Sequence, residues 1–404
     1  MNVFFKILFA TIFFFATTLS GQVRSEKTIV TGAERLDYYL PLLQGQRVAL
    51  CANQTARVGT RHLLDTLLLR KINVVKIFSP EHGFRGKTEA GAHVNSGIDK
   101  ETGIPVVSLY GSNKKPTAGQ LQNIDIIFFD IQDVGCRFYT YISTLHHVME
   151  AAAEQGIRVI VADRPNPNGF YVDGPVLIPS CRSFVGMHPV PIVHGMTIGE
   201  YARMINGEKW LSNGKTCNLQ IVEMENYTHS TRYTLPVAPS PNLNTAEAIL
   251  LYPSLCLFEG TDISIGRGTP LPFQRYGHPL FEEGDDIFTP VATPGVAEHP
   301  PHEGKRCQGY NLTRTAQQCL SLKNDTAQAC NSINLKYLIH AYQQFPDKTR
   351  FFSRPDMFDK LAGTPALRQQ ITQNYTENDI RASWKEGILK FKKIRAKYLL
   401  YPDF

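Results

Sequence analysis

The sequence lacks the motifs that identify the common cofactor and metal enzymes. It contains no H-E-x-x-H zinc motif and no G-x-S-x-G serine-hydrolase motif. The turn after the first predicted strand has no G-x-G-x-x-G, and GFRGKT is not a P-loop because Glu81 stands where that motif needs its first glycine. These absences argue against zinc peptidases, common serine hydrolases and nucleotide-dependent enzymes. We therefore expect no cofactor and no metal.

The sequence also has no C-x-x-C pair and no run of lysines and arginines that suggests a nucleic-acid track, although it contains eight cysteines and carries a net charge of +6. Without a basic run, a nucleic-acid partner is not expected. The modest positive charge suits either an anionic ligand or an ordinary solvated surface. Among the cysteines, the cluster Cys307, Cys319 and Cys330 is the place where we expect one local disulfide, whereas Cys51 and Cys256 lie in apolar runs typical of buried thiols.

The N-terminus has too short an apolar run to anchor the protein in a membrane. Lys6 precedes an apolar stretch from Ile7 to Ala16, and small residues follow as far as Ser20. This layout is typical of a secretory signal, whereas a spanning helix needs about 20 apolar residues. We therefore predict that residues 1–20 are a signal peptide, that the mature protein has no stable membrane anchor, and that it is exported to the periplasm or secreted.

Five short apolar runs alternate with helical patterns in the first part of the chain. The runs are RVALCANQ (47–54), NVVKIFSP (73–80), PVVSLYGS (105–112), DIIFFDIQD (125–133) and IRVIVADRPNP (157–167). Strands that are apolar on both faces and separated by helices indicate a parallel sheet of the α/β class. From about residue 250 the sequence becomes rich in loops and then returns to helical periodicity. We predict an α/β domain over 25–250 and a smaller α+β domain over 251–404.

Polar residues follow each apolar run at the point where the predicted strand ends. Examples are Asn53–Gln54, Glu81–His82 and Asp163–Arg164. The carboxyl ends of parallel strands meet at one edge of the sheet, where ligands bind. The sequence therefore predicts a functional edge that includes Glu81.

The segment SPEHGFRG places an acid, an imidazole and a guanidinium on a glycine-hinged loop. Its candidate site residues are Glu81, His82 and Arg85. Pairing with Arg85 would lower the pKa of Glu81, whereas burial would raise it. A salt bridge that only pins the loop is the alternative to a functional role.

Other loops carry further polar candidates. They are Asp130, Gln132, Asp133, Arg137 and Tyr139 in FDIQDVGCRFYTY, Asp163, Arg164, Asn166 and Asp173 in DRPNPNGFYVDGP, His194 in HGMTIGE, Asn242 in SPNLNT, and Glu259, Thr261, Arg267 and Thr269 in FEGTDISIGRGT. Helix capping, turn chemistry and a solvated loop could also explain many of them. Carboxylates, amides and aromatic rings without a cofactor motif suit a sugar ligand, and hydrolysis of a glycosidic bond requires a carboxylic acid with a second catalytic group.

These segments together resemble the exo-β-N-acetylmuramidase family. The resemblance rests on SPEHGFRG, FDIQDVGCRFYTYISTL, DRPNPNG, HGMTIGEYA, SPNLNT, YPSLCLFEGTDISIGRGT and the terminal KKIRAKYLLY, and it extends from about residue 45 to the end of the chain. It implies a Rossmann-like N-terminal domain, a smaller C-terminal domain and an active site in the cleft between them. It also implies an exo-acting hydrolase that removes terminal N-acetylmuramic acid (MurNAc) from the non-reducing end of peptidoglycan fragments such as MurNAc-GlcNAc.

Within this resemblance, Glu81 matches the glutamate of the family's E-H-G-x-R-G motif and is the expected general acid. Asp133 and Glu259 are the main candidates for the second catalytic group, and Asp130, Asp173 and assistance by the substrate's N-acetyl group are alternatives. The other polar residues named above are expected to bind substrate.

The lactyl carboxylate of MurNAc suggests an arginine partner, with Arg85, Arg137, Arg164 and Arg267 as candidates. The chain has NPNGF where the family more often has NPLGG, and Asn244 where it more often has proline. A non-catalytic peptidoglycan-fragment binder and another cell-envelope hydrolase, such as an amidase or esterase, are the rival hypotheses.

Overall fold

The structure is a computed structural model that describes residues 28–84, 96–322 and 330–404. The predicted signal peptide and Arg85 lie outside these residues. The described strands are β1 Val48–Ala52, β2 Arg57–Val58, β3 Arg61–His62, β4 Val74–Ser79, β5 Gly97–Ile98, β6 Pro105–Ser108, β7 Ile126–Asp130, β8 Arg158–Ala162, β9 Leu219–Val222, β10 Arg275–His278, β11 Asp286–Phe288 and β12 Cys307–Asn311.

Helices connect and cover these strands. The described α-helices are α1 Leu36–Leu43, α2 Leu63–Leu69, α3 Tyr141–Gln155, α4 Ile198–Gly207, α5 Ala246–Leu255, α6 Thr313–Ser321, α7 Lys336–Gln344, α8 Lys348–Phe351, α9 Pro355–Ala362, α10 Ala366–Thr372 and α11 Glu377–Arg395. One of the short 3₁₀ helices, Cys256–Gly260, follows α5 directly. Among the described residues, no helix combines the length and the apolar character needed to cross a membrane.

A seven-stranded sheet forms the centre of the N-terminal half. Its strand order is β5-β6-β4-β1-β7-β8-β9, and all neighbouring pairs are parallel except β5 with β6. Each of the five predicted apolar runs contains one of these strands. The predicted α/β class with a parallel sheet is therefore confirmed.

The central strands are apolar on both faces because helices cover both. In β7, Ile127 and Phe129 pack into a core shared with α3 and α4, whereas Ile126 and Phe128 pack into a second core shared with α1 and α2. Alternate side chains of a strand point to opposite faces of the sheet. A continuous apolar run therefore satisfies two cores at once and fixes the register of the strand.

The C-terminal half combines helices with a small antiparallel sheet of order β10-β12-β11. Its cysteines Cys319 and Cys330 form the expected local disulfide, whereas Cys307 is a buried thiol, as are Cys51 and Cys256. Residue 250, the predicted boundary between the two domains, lies within α5. The division into domains therefore stays a prediction.

A buried arginine ties the two halves together. Arg137 is fully buried and donates hydrogen bonds to the carbonyl oxygens of Pro175 (2.8 Å), Val190 (2.7 Å) and Leu361 (2.9 Å). Leu361 belongs to α9 in the C-terminal half, whereas the other two acceptors belong to the N-terminal half. Burial lowers the pKa of Arg137 only to about 10, so the guanidinium stays charged at neutral pH.

Candidate active site

A cavity of about 450 Å³ opens at the carboxyl ends of β4 and β7 and is closed from the other side by the C-terminal half. Its polar and charged lining includes Glu81, His82, Thr140, Ser240, Asn242, Glu259, Thr261, Arg267, His299 and Arg354. Its aromatic lining includes Tyr110, Phe138, Tyr139, Tyr141, Phe184, Tyr252, Phe258 and Phe273. A lining of aromatic rings with a few charged groups among them is suited to a sugar ring.

Glu81 stands two residues after the last residue of β4, in a tight turn. Gly83 donates its backbone N–H to the Pro80 carbonyl (3.1 Å), and His82 and Gly83 both have positive φ angles (69° and 76°). A positive φ at a buried histidine costs energy and persists only where the surrounding structure enforces it. The turn directs the Glu81 carboxyl group toward the cavity and away from the sheet.

Thr140, in the connection between β7 and α3, holds the Glu81 carboxyl group. Its hydroxyl donates to Glu81 Oε2 over 2.7 Å. Thr140 immediately precedes α3, so the hydroxyl is supplied by the rigid start of a 15-residue helix. The orientation of Glu81 therefore depends on two separate elements of the sheet edge.

Aromatic side chains form a packed wall beside this carboxyl group. Tyr139 contacts Tyr141 and Tyr252 edge to face, with ring centroids 4.8 and 5.8 Å apart. Tyr252 in turn contacts Phe273 at 5.0 Å. Burial raises the pKa of the Tyr139 phenol well above its usual value, so the hydroxyl stays neutral. Aromatic faces and edges of this kind pack well against apolar faces of sugars.

The C-terminal half supplies a second carboxylate to the cavity. Glu259 forms an ion pair with Arg267, whose guanidinium also lies 5.0 Å from the centre of the Phe273 ring. Burial alone would lower the pKa of Arg267, but the adjacent Glu259 carboxylate outweighs this effect and raises it. The charges of Glu259 and Arg267 therefore neutralise each other at the cavity wall.

Arg354 adds a further cation at the start of α9. Its backbone N–H donates to the Gly260 carbonyl (3.1 Å), and its Nη2 donates to the Glu259 carbonyl. This close approach requires glycine at 260, because a Cβ there would lie 2.4 Å from the Cβ of Phe358. The segment that carries Glu259 is thus pressed against the helix that follows Arg354.

Family models match almost the whole described chain. The model described as "Exo-beta-N-acetylmuramidase NamZ, N-terminal" matches residues 48–247, and the model described as "Exo-beta-N-acetylmuramidase NamZ, C-terminal" matches residues 250–401. The chain belongs to the exo-β-N-acetylmuramidase NamZ family. The Peptidoglycan beta-N-acetylmuramidase NamZ of Bacillus subtilis (strain 168) is 38% identical over 399 residues, which cover 94% of this chain and 93% of that protein.

Two solved structures share the fold of this NamZ family member. A DUF1343 family protein from Bacteroides fragilis NCTC 9343 is 46% identical and superposes with a TM-score of 0.84 over 94% of this chain and 100% of its own. A second DUF1343 family protein from the same organism is 30% identical, with a TM-score of 0.78 over 92% of this chain and 99% of its own. The expected family is therefore confirmed.

The structure brings part of the predicted NamZ site together and places the rest elsewhere. The predicted residues that line the cavity are Glu81, His82, Tyr139, Asn242, Glu259, Thr261 and Arg267. Asn242 donates its amide Nδ2 to the Val296 carbonyl (2.7 Å), while its Oδ1 has no partner in the described part of the chain. The catalytic and binding roles of these residues stay predictions.

Asp130 and Arg164 form an ion pair with each other beside the cavity. Arg164 donates from Nε and Nη2 to the two carboxylate oxygens of Asp130, the Nη2 bond measuring 2.8 Å, and its Nη2 also donates to the Arg57 carbonyl. Asp130 is fully buried. Arg164 lines a different cavity, so the structure does not bring it to the one that holds Glu81.

Asp163 is a buried acceptor that connects the sheet edge to the end of the chain. Its Oδ2 accepts from the hydroxyls of Thr197 (2.7 Å) and Tyr401 (2.6 Å), and its Oδ1 accepts from the backbone of Gly199 (2.8 Å) and Arg164 (3.0 Å). Burial and the nearby Glu200 carboxylate raise the pKa of Asp163 to about 7. All of these contacts are structural.

Asp133, a candidate for the second catalytic group, lies beneath the loop rather than in the cavity. Its Oδ2 accepts from the Gly135 backbone (2.6 Å) and lies 4.0 Å from Nε2 of the buried His194. Burial raises the pKa of Asp133 to about 7 and lowers that of His194 to about 3. Neither side chain lines the cavity.

The remaining predicted residues bind neighbouring backbone or side chains. Their partners are the Asp133 and Pro165 carbonyls for Gln132, the Met196 carbonyl for Asn166, the Ile333 backbone N–H and the Arg381 guanidinium for Asp173, the Gly266 carbonyl for Thr269, and the three carbonyls already described for Arg137. The structure does not bring any of these five to the cavity.

Sequence reasoning missed several residues that line the NamZ cavity. Thr140 lies inside a motif that carried the family resemblance, so its position beside Tyr139 and Tyr141 was an available signal. Phe184, His299 and Arg354 belong to no such motif, and their recruitment depends on how distant segments pack.

Two clusters place His and carboxylate side chains close enough together to hold a metal ion. They are Asp262 with His278 and His302, and His146 with His147 and Glu150. His278 Nδ1 accepts from the Leu280 backbone N–H (3.0 Å), so its proton resides on Nε2, facing Asp262. His302 Nε2 lies 2.7 Å from the Asp262 carbonyl oxygen and must also carry a proton. A metal ion at this cluster would need the Nε2 lone pairs to which these protons are bound. In the other cluster, the Lys115 ammonium already pairs with Glu150.

Proposed function

We propose that this protein is an exo-acting β-N-acetylmuramidase that releases terminal MurNAc from the non-reducing end of peptidoglycan fragments. The observation that most supports the proposal is the position of Glu81, which matches the family glutamate and lines the cavity between the two halves of the chain. A carboxyl group in such a cavity is what protonation of a leaving glycosidic oxygen requires.

In this proposal Glu81 acts as the general acid. Thr140 fixes one carboxylate oxygen through its hydroxyl, so little reorientation is needed when the proton is transferred. The leaving group must then lie against the wall that the ends of β4 and β7 form. General-acid catalysis of this kind contributes about 10²- to 10⁴-fold to the rate.

Glu259 is the candidate for the second catalytic group that the cavity itself supports. Its ion pair with Arg267 holds the carboxylate at the cavity wall, where it can face the sugar ring. The substrate's own N-acetyl group could then supply the nucleophile. Asp133 has less support, since it accepts a hydrogen bond from Gly135 beneath the loop.

The wall of Tyr139, Tyr252 and Phe273 gives the cavity an apolar side, and Asn242 adds a polar residue to its lining. Electrostatic interactions in a site enclosed by such a lining are stronger than they are in bulk water. Together these groups support a single saccharide bound at the cavity, as an exo-acting enzyme requires.

We also infer that the protein is exported. The support is the basic, apolar and small-residue layout of residues 1–20. The test is the mass of the protein recovered from the periplasm or culture fluid of the producing bacterium. A mass that includes all of residues 1–20 would contradict the inference.

The proposed activity is tested by incubating the mature protein with a MurNAc-GlcNAc disaccharide and separating the products. Release of free MurNAc and GlcNAc supports the exo-muramidase. Disaccharide that binds but stays intact supports the non-catalytic binder, and loss of an acyl group supports an amidase or esterase.

A further inference from the structure

The substrate of the proposed function differs from N-acetylglucosamine in one group, the lactyl ether that carries a carboxylate on C3. A muramidase must recognise this anion to distinguish MurNAc from the other amino sugar of peptidoglycan. A guanidinium recognises a carboxylate best because it can donate two parallel charge-assisted hydrogen bonds. The question is therefore which arginine can reach the bound sugar.

The structure narrows the candidates among the arginines that it describes. Arg137 is fully buried among carbonyl oxygens, and Arg164 pairs with Asp130 beside a different cavity. Two arginines line the cavity that holds Glu81, namely Arg267 and Arg354. Among the described lining residues there is no lysine that could substitute for them.

Of these two, Arg267 is already paired. Its guanidinium binds the Glu259 carboxylate and lies over the Phe273 ring, with only 18% of the side chain exposed. Binding a second carboxylate there would either displace Glu259 or place two anions beside each other. Like charges at such a distance repel, so Arg267 serves to hold Glu259.

Arg354 has the opposite character. It is exposed, it forms no ion pair within the described residues, and its hydrogen bonds go to the backbone carbonyls of Glu259 and Gly260. Those two bonds fix the base and one nitrogen of the guanidinium, while Nε and Nη1 make no hydrogen bond to the described chain. Because Arg267 neutralises Glu259, the positive charge of Arg354 is not cancelled locally.

We propose that Arg354 is the specificity-determining residue that binds the lactyl carboxylate of MurNAc. The assignment rests on the proposed function and names the group by which that same site selects its sugar. It requires the C3 substituent to face α9 when the glycosidic oxygen faces Glu81. Arg354 then determines which sugar binds, and Glu81 determines whether the bond is cleaved.

A double-mutant cycle between enzyme and substrate tests this assignment. The substrates are p-nitrophenyl β-MurNAc and its lactyl methyl ester, which removes the charge and adds one methyl group. The enzymes are the wild type, Arg354→Ala, Arg354→Lys and the control Arg350→Ala, which changes an exposed arginine four residues away and outside the cavity lining. Both kcat and KM are measured for each combination.

We expect Arg354→Ala to lower kcat/KM for the acid about 10- to 100-fold, mainly through KM, as loss of a charged hydrogen bond does. The wild type should lose a similar factor when the acid is replaced by the ester, whereas Arg354→Ala should lose little more. Arg354→Lys should lie between them because it keeps the charge without the planar fork. Arg350→Ala should behave as the wild type.

Equal losses on acid and ester in Arg354→Ala would overturn the assignment, because the residue would then act independently of the lactyl charge. If Arg354→Ala does not fold, the acid-to-ester ratio of Arg354→Lys decides in its place, and a ratio equal to that of the wild type overturns the assignment. A wild type that cleaves neither substrate would instead overturn the proposed function.

Discussion

Two stretches of the same sheet edge carry similar polar side chains but have different surroundings. After β4 and at the start of α3, Glu81 and Thr140 line an open cavity. At the end of β7 and directly after β8, Asp130 and Asp163 are fully buried, and their carboxylate oxygens accept hydrogen bonds from Arg164, Thr197 and other neighbours. The first stretch presents its carboxylate to a cavity, whereas the second uses its carboxylates to hold loops in place.

The comparison shows that a carboxylate at the end of a parallel strand is not by itself a site residue. Buried carboxylates need several donors to offset the loss of water, and those donors leave no room for a substrate. Glu81 differs from these buried carboxylates because it lines a cavity that a ligand can enter. Four substitutions test this distinction, in order of decreasing effect on turnover.

The largest effect is expected for Glu81→Gln. The amide keeps the shape and the contact with Thr140 but cannot donate the catalytic proton, so kcat should fall about 10²- to 10⁴-fold. The measurement is steady-state release of MurNAc, with thermal unfolding as the control for folding. A variant with near-normal turnover would remove Glu81 from the mechanism.

Thr140→Ala should have the next largest effect. Loss of the 2.7 Å hydrogen bond to Glu81 leaves the carboxyl group free to rotate and should lower kcat about tenfold, with a small change in KM. Thr140→Ser retains the hydroxyl and should recover most of the rate. Equal rates for the serine and alanine variants would contradict this role.

Asp163→Ala should affect stability much more than turnover. It leaves the hydroxyls of Thr197 and Tyr401 without their acceptor, and we expect the free energy of unfolding to fall by about 3 kcal/mol. Urea unfolding measures this change. The enzyme that remains folded should keep kcat within about threefold. A loss of kcat comparable with that of Glu81→Gln would show that Asp163 takes part in the reaction and does not only support the fold.

Asp133→Asn should have the smallest effect on turnover but a clear effect on pH dependence. The folded pKa of Asp133 is about 7 and the ordinary value is 3.8, so between these values the folded state holds a proton that the unfolded state has lost. This group therefore makes the protein less stable as pH rises from about 4 to 7.

The Asp133→Asn variant should lack that contribution, because its amide oxygen can still accept from Gly135 without ionising. Its advantage in free energy of unfolding over the wild type should grow across this pH range, as measured by urea unfolding at each pH. An advantage that is constant with pH would contradict the raised pKa, and a large loss of kcat would return Asp133 to the catalytic candidates.

The sheet could be predicted from the sequence because its strands are buried on both faces. β1, β4, β7 and β8 fall inside continuous apolar runs, whose pattern leaves few alternatives. β9 was missed because it is short and mixes polar with apolar residues, Leu219 to Val222. The local sequence pattern therefore predicts the central strands and is less informative for the strands at the edges of the sheet.

The site was harder to predict because its members come from segments far apart in the chain. The family motifs pointed to Glu81 and Glu259, but they also pointed to Asp163 and Arg137, which the fold buries. Arg354 gave no local signal, since its place depends on the packing of α9 against Gly260. Motifs record which residues matter without separating those that react from those that support the fold.

The buried guanidinium of Arg137 has a consequence for how saccharides enter. Separating the N-terminal half from the C-terminal half would remove the Leu361 carbonyl from this buried cation. A hydrogen bond to a charged group is worth about 1.5 to 3 kcal/mol, so such a separation would lose about that much at Arg137. This contact therefore favours an entrance that keeps its width when a saccharide binds.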